Sequence, residues 1–428
     1  MCIKNFEYLD NLIHTRKNIV LDSDVILDDY EESKYKNGIK IDVNDVIIDG
    51  NGHSIDARGK TRIFHILSNK NIILKNITLI DAYSSGEGGA IFNDEGTLSI
   101  FESNIYKSIA GSGGAIFNDG ELTIYDSSFS KNFADWAGAI WNEKKCKLYN
   151  SLFNENSADD MGGAILNCGE LSITDNKFTK NITEREEKFC VGGAICNDNI
   201  LTISKSSFNK NKSANGGAIL NYKELNISNS SFKENIAKND GGAINNGNGC
   251  SSILESTFSN NKSDNGGAIF NGNELNISKS LLKENIAKND GGAIHNKDGC
   301  FSILESTFCN NKSDNGGAIN NDEGFGNISD SKLNGNIAND VGGAVYNDGI
   351  LSILNSLFDE NKSYEDGGAI FSDNWGKSTL SIFECSFNKN LSKRANNIWC
   401  NKGLYIKNSM IDERMFKSLN KKDFIILL

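Results

Sequence analysis

Between residues 42 and 65 lies the densest set of groups suited to acid–base chemistry: Asp42, Asp45, Asp49 and Asp56, with His53, His65, Arg58 and Arg62. Carboxylates beside an imidazole or guanidinium could cleave a glycosidic bond by general acid–base catalysis, or bind Ca²⁺. The plainer reading is that Asp49-Gly50-Asn51-Gly52 is a turn and that the other groups face solvent, and no residue is assigned a catalytic role. A second acidic series, Asp135, Asp160, Asp240, Asp264, Asp290, Asp314, Asp340 and Asp366, stands just before a recurrent GG pair. It could gather divalent cations. However, the nonapeptide of regular Ca²⁺ coils is missing, and Lys238, Lys262, Lys288 and Lys312 offset the charge, so these positions read as solvated turns. Four His without paired spacing give no metal motif, and no cofactor or metal is expected.

A third set is large and apolar. Phe92, Phe117, Trp141, Leu166, Phe270, Tyr346, Phe371 and Trp399 all stand between a repeated aliphatic residue and a repeated Asn or its equivalent. Strand alternation would turn this stripe away from the core, where it could grip a sugar or a protein partner. A local twist that turns it inward is the competing expectation.

The elements that position these residues are repeats. The GG pair or its equivalent begins at 88, 113, 137, 162, 192, 216, 241, 266, 291, 316, 342 and 367. Each unit reads GGAI-x-N, then L-x-I, then S-x-F-x-x-N. Both apolar segments alternate with period two, and Gly, Asn, Asp and Ser gather between them, so each unit is strand, turn, strand, turn. One such unit cannot bury its own strands, whereas stacked copies share a continuous core. The expected fold is therefore all-β, a single parallel β-helix of roughly 15 coils, with two or three strands per coil. "SIDA" at Ser54, echoed by "LIDA" at Leu79, carries the register upstream of the first GGAI.

Stacking implies columns. Asn93, Asn118, Asn142, Asn167, Asn197, Asn221, Asn246, Asn271, Asn296, Asn321 and Asn347 form an expected amide ladder at a corner where Asn also tolerates left-handed backbone. Asn132, Asn156, Asn181, Asn211, Asn235, Asn261, Asn285, Asn311, Asn336, Asn361 and Asn390 form a second. Phe129, Phe153, Phe178, Phe208, Phe232, Phe258, Phe308 and Phe358 should stack inside. Residues 6 to 13 place Phe6, Leu9, Leu12 and Ile13 on one helical face and read as a cap. Residues 1–18 thus form an N-terminal cap, 19–87 the initial coils, 88–395 the regular repeats, and 396–428 a degraded coil and C-terminal cap. Longer units around Thr183 to Cys190 and Ser372 to Thr379 project loops that could make contacts.

Composition excludes some partners. The net charge of −12 disfavours nucleic acid and anionic lipid, and no apolar run approaches the roughly 20 residues of a membrane span. No signal peptide or anchor is read in the chain. The ten Cys read mostly as free thiols in small apolar positions; Cys146, Cys250 and Cys300 share one place in the repeat, but never in consecutive coils.

The GGA-aliphatic and F-x-x-N pattern at this period resembles the repeats of chlamydial polymorphic outer-membrane proteins. "GIKIDVNDVIIDGNGHSIDARGKTRIFHI" is similar to the first coils of adhesin-like proteins of methanogenic archaea. The resemblance implies a right-handed parallel β-helix, monomeric and displayed at a cell surface. There it would serve as a non-enzymatic adhesin-like protein contacting a protein or glycan of a host or other cell. A polysaccharide lyase or hydrolase on the same scaffold is the alternative.

Overall fold

The computed structural model describes residues 4–184, 191–373, 378–400, 403–410, 416–417 and 424–427. Chain contacts divide it into two compact units, Met1–Ser213 and Ala214–Leu428.

The first unit opens with helix α1, Phe6–Thr15, which packs on strands Val25–Ile26 and Ile39–Ile41. Phe6, Leu9 and Ile13 are buried, as their spacing requires, while Leu12 is only partly covered. The first helical N–H groups need acceptors. Glu31 supplies two, accepting from the backbone of Phe6 at 3.2 Å and of Glu7 at 2.7 Å, and Asn5 Oδ1 accepts from Tyr8.

A regular coil of this unit runs through strands Ile116–Asn118, Glu121–Tyr125, Ser128–Ser130 and Phe133–Trp136 before the chain turns at Gly138 into Ile140–Asn142. Each strand pairs in parallel with its counterpart one coil on, Ile116 with Ile140 and Leu122 with Cys146. There are therefore four strands per coil, not two or three. The additional strand, just before the GG corner, lacks the aliphatic alternation that marks the other three. The second unit repeats the plan with Ile244–Asn246, Cys250–Leu254, Thr257–Ser259 and Lys262–Asn265. All-β coils of this kind, about 15 in total, make each unit a parallel β-solenoid.

Both Asn columns form. In the first unit Asn93 Nδ2 donates to Asn118 Oδ1 at 2.7 Å, and the chain of amides continues through Asn142 and Asn167 to Asn197. In the second it runs from Asn221 to Asn347, where Ser372 takes over. The F-x-x-N column is denser, because each amide also accepts from a neighbouring backbone N–H: Asn285 Oδ1 receives both Asn261 N and Asn261 Nδ2. Left-handed backbone does not fall on the ladder Asn. It falls on the residue before the F-x-x-N Asn, such as Lys131, Glu155 or Glu284, and on the first Gly of the corner. A serine column, Ser103, Ser127, Ser151 and their equivalents, forms a third ladder that the motif contained but alternation did not single out.

The Phe residues expected inside are fully buried, and Phe153 and Phe178 stack at 4.7 Å. Upstream coils pair as the echo implies, but Ile55 aligns with Leu79, one residue off the SIDA/LIDA match. Pairing by the echo would have turned either Ile55 or Leu79 out of the core.

Cys146, Cys168, Cys250, Cys300, Cys309 and Cys385 are free thiols. Cys146 is buried as expected, but Cys250 and Cys300 are exposed. Their coils carry one more residue in the turn after the ladder Asn, so Ser251 and Phe301 take the inward position and the cysteines face out. Cys2, Cys190, most of the loop through Cys190, the centre of the loop from Ser372 to Thr379, and most of the expected C-terminal cap lie outside the described residues.

Candidate binding groove

The acidic and basic groups near the N-terminus do not converge. Asp42 follows one strand, and Asp49 and Asp56 end two others, the three strands belonging to three different sheets, and each Asp is engaged locally. Asp42 meets His14 at 3.1 Å, and Asp56 accepts from Arg58 N at 2.7 Å. Asp49 meets Lys75 at 2.9 Å, and that ammonium holds its carboxyl below the usual range. Asp45 accepts from Asn71, His53 lies 3.6 Å from Asp24, and Arg58 pairs with Asp29.

The series before the GG corner is not simply solvated. Asp240 and Asp314 accept from Asn265 and Asn339 of the next coil, and Asp290 accepts from Asn315. Asp160 and Asp366 are buried, the latter paired with Arg394. Among the described residues no three His, Cys, Asp or Glu side chains form a metal-binding group.

The stripe is the set that the fold does assemble. Alternation is plain at Phe92, Phe117 and Trp141: Ile91, Ile116 and Ile140, and Asn93, Asn118 and Asn142, are fully buried, while the residue between them lies on the other face, half covered. In the first unit the column is continuous. His65 stacks on Phe92 at 4.9 Å, Phe92 meets Phe117 edge-on at 5.6 Å, and Phe117 lies 5.5 Å from Trp141. Leu166 follows and is buried.

In the second unit Phe270 lies 5.4 Å from His295, and further along Tyr346, Phe371 and Trp399 stack, with Phe371 8% exposed. Elsewhere in this unit the column position is polar, with Asn245, His295 and Asn320 all buried. Asn320 donates to Asp290 at 3.0 Å, and Asp322 lies 3.8 Å from His295, which holds that carboxyl low.

Side chains that the stripe pattern did not include complete the first unit's groove. Trp136, at the end of the fourth strand, lies parallel to Trp141 at 5.6 Å. The Arg62 guanidinium sits over Phe92 at 5.2 Å while bonded to Gly88 O and Ser84 Oγ. Arg62 and His65 thus join the aromatic column and not a carboxylate pair. Burial pushes the His65 imidazole down, reinforced by Arg62 and opposed by Asp94 at 3.7 Å. Two places beyond Phe92, Phe117 and Trp141 stand the carboxylates Asp94, Asp119 and Glu143, and Trp141 Nε1 donates to Glu143 at 2.6 Å. The recurring aromatic-Asn-acid triplet was the legible signal for that row. Around the next corner a separate hollow of about 540 Å³ is lined by Glu95, Lys144 and Glu170.

Corresponding segments of later coils have relatives. Residues 150–168, 255–272, 305–322 and 355–373 match the family model of the Chlamydia polymorphic membrane protein repeat. Over these four segments the chain is similar to polymorphic membrane protein repeats. Each matched segment runs from the F-x-x-N strand through the fourth strand and the GG corner to the stripe residue and its ladder position.

No curated protein matches the chain. Among solved structures, a mutant of the PL6 family alginate lyase AlyGC superposes with a TM-score of 0.32 at 10% identity, covering 95% of this chain and 79% of the lyase. The parent lyase gives 0.29 at 10%, covering 95% and 84%. Among the described residues no helix is long and apolar enough to cross a membrane, which says nothing of a β-barrel.

Proposed function

We propose that this chain is a non-enzymatic, adhesin-like protein of a cell surface that uses a lateral face of its coils to hold a protein or glycan of another cell. The observation that carries the reading is the similarity of four segments to the polymorphic membrane protein repeat, three of which contain the stripe residues Leu166, Phe270 and Phe371. Residues on rigid stacked strands are held at fixed spacing, so an extended partner meets a preorganised surface. The enzymatic alternative is disfavoured by the dispersal of Asp42, Asp49 and Asp56, each already engaged by a local partner.

The test is adhesion of the labelled full-length chain to a panel of cells, alongside incubation with neutral and acidic polysaccharides. Saturable cell binding without chain cleavage is expected. Cleavage that disappears in Asp49→Asn or Asp56→Asn would overturn the reading in favour of an enzyme.

A further inference from the structure

We infer that the groove of the first unit binds a neutral, extended glycan, one sugar per coil. This rests on the surface-binding reading and narrows it to a ligand class and a place.

The floor consists of rings on consecutive coils, Phe92, Phe117 and Trp141, with centroids 5.6 and 5.5 Å apart. Strand spacing sets the coil repeat at about 4.8 Å, close to the length of one pyranose along an extended chain. One half-covered ring per coil at that interval offers an apolar contact to each successive sugar. Trp136 is 40% exposed and parallel to Trp141, which gives the floor an accessible platform at one end. At the other end the buried Arg62 guanidinium and the His65 ring hold Phe92 from above and behind.

Acceptors line the edges. On one side Asp94, Asp119 and Glu143 recur once per coil, as the ring positions do. On the other, the fourth sheet brings Glu87, Ser112 and Trp136 into register. Sugar hydroxyls are donors suited to such carboxylates, and a hydrogen bond to a charged acceptor is stronger than one between neutral groups. The same carboxylates, in a chain of net charge −12, repel uronates and sulfated sugars. A protein partner would instead seek protruding apolar anchors in desolvated pockets, whereas these rings are recessed and edged with charge.

The experiment uses the full chain with cellohexaose and chitohexaose as neutral probes, their trimers, and alginate and heparin as acidic ones. Binding is read by tryptophan fluorescence and calorimetry. Expected are hexamer binding tighter than trimer, a loss of at least tenfold in Trp136→Ala, and no change in Phe325→Ala, an exposed ring of the second unit. Because Trp141 and Phe117 support the fold locally, Trp136→Ala is the decisive variant; it removes a surface ring. Acidic polymers binding more tightly than neutral ones, or hexamer binding indifferent to Trp136, would overturn the proposal. Cell adhesion that persists with no neutral sugar bound would sink the glycan assignment but leave the surface-binding reading standing. Absence of cell adhesion would remove both.

Discussion

Replacing Asn285 by alanine probes the F-x-x-N column where it is fully formed. Asn285 Oδ1 accepts from Asn261 N at 3.0 Å and Asn261 Nδ2 at 2.9 Å, while its Nδ2 donates to Phe258 O and Asn311 Oδ1 at 3.0 Å each. All three amides are fully buried, so water cannot replace the lost partners. Four bonds at about 1 kcal/mol each place the loss near 4 kcal/mol, with the Asn261 N–H left bare. Asn93, first of the other column, sets the scale. Its Nδ2 donates to Gly96 O and Asn118 Oδ1, but its Oδ1 has no partner, because Ile66 occupies its place in the preceding coil. Asn93→Ala should therefore cost about 2 kcal/mol, half as much. Amide hydrogen exchange of the full chain reads each local opening free energy. A loss below about 1 kcal/mol at Asn285, or one at Asn93 that equals or exceeds it, would refute the additive ladder.

Ala137 holds the corner position that Gly takes elsewhere, at φ 61°, so Ala137→Gly should stabilise the chain by about 1 kcal/mol in urea unfolding. Conversely, a Cβ at Gly242 would stand 2.1 Å from Gly267 O, so Gly242→Ala should destabilise by more than about 3 kcal/mol. Thiol labelling of the folded chain near pH 8 should modify the exposed Cys250 and Cys300 and spare Cys146, whose burial raises its pKa; equal labelling would contradict the register described. His65 is held neutral by burial, so the unfolded chain takes up more protons as pH falls below 6.5 and stability drops there; His65→Phe should lessen that acid loss in a melting series. His14 is raised by its bond to the Asp10 carbonyl, so its contribution is present below 6.5 and fades as pH rises, and His14→Gln should steepen the acid loss.

Periodicity made the core legible because every coil must offer its neighbours the same groups. The Phe column and both Asn columns follow from residue spacing alone. The fourth strand did not, since sequences such as Phe133-Ala134-Asp135-Trp136 bury one small residue and leave no apolar alternation to read. Trp136 was missed for the same reason: its contact with Trp141 arises from how two strands meet at a corner. The left-handed positions escaped because Lys131, Glu155 and Glu284 occupy them, residues that local preference assigns elsewhere, and stacking overrides that preference. Charged residues near the N-terminus looked like a cluster because they are close in sequence, but one coil distributes seven consecutive positions over two sheets.

The single extra residue in the turns before Cys250 and Cys300 shows how such a scaffold can vary. Lengthening that turn by one exchanges the inward and outward rows of one strand start, yet the coils on either side keep their pairing. A lineage could thereby repaint a single patch of its exterior by an insertion of three nucleotides, without disturbing the columns that hold the protein together.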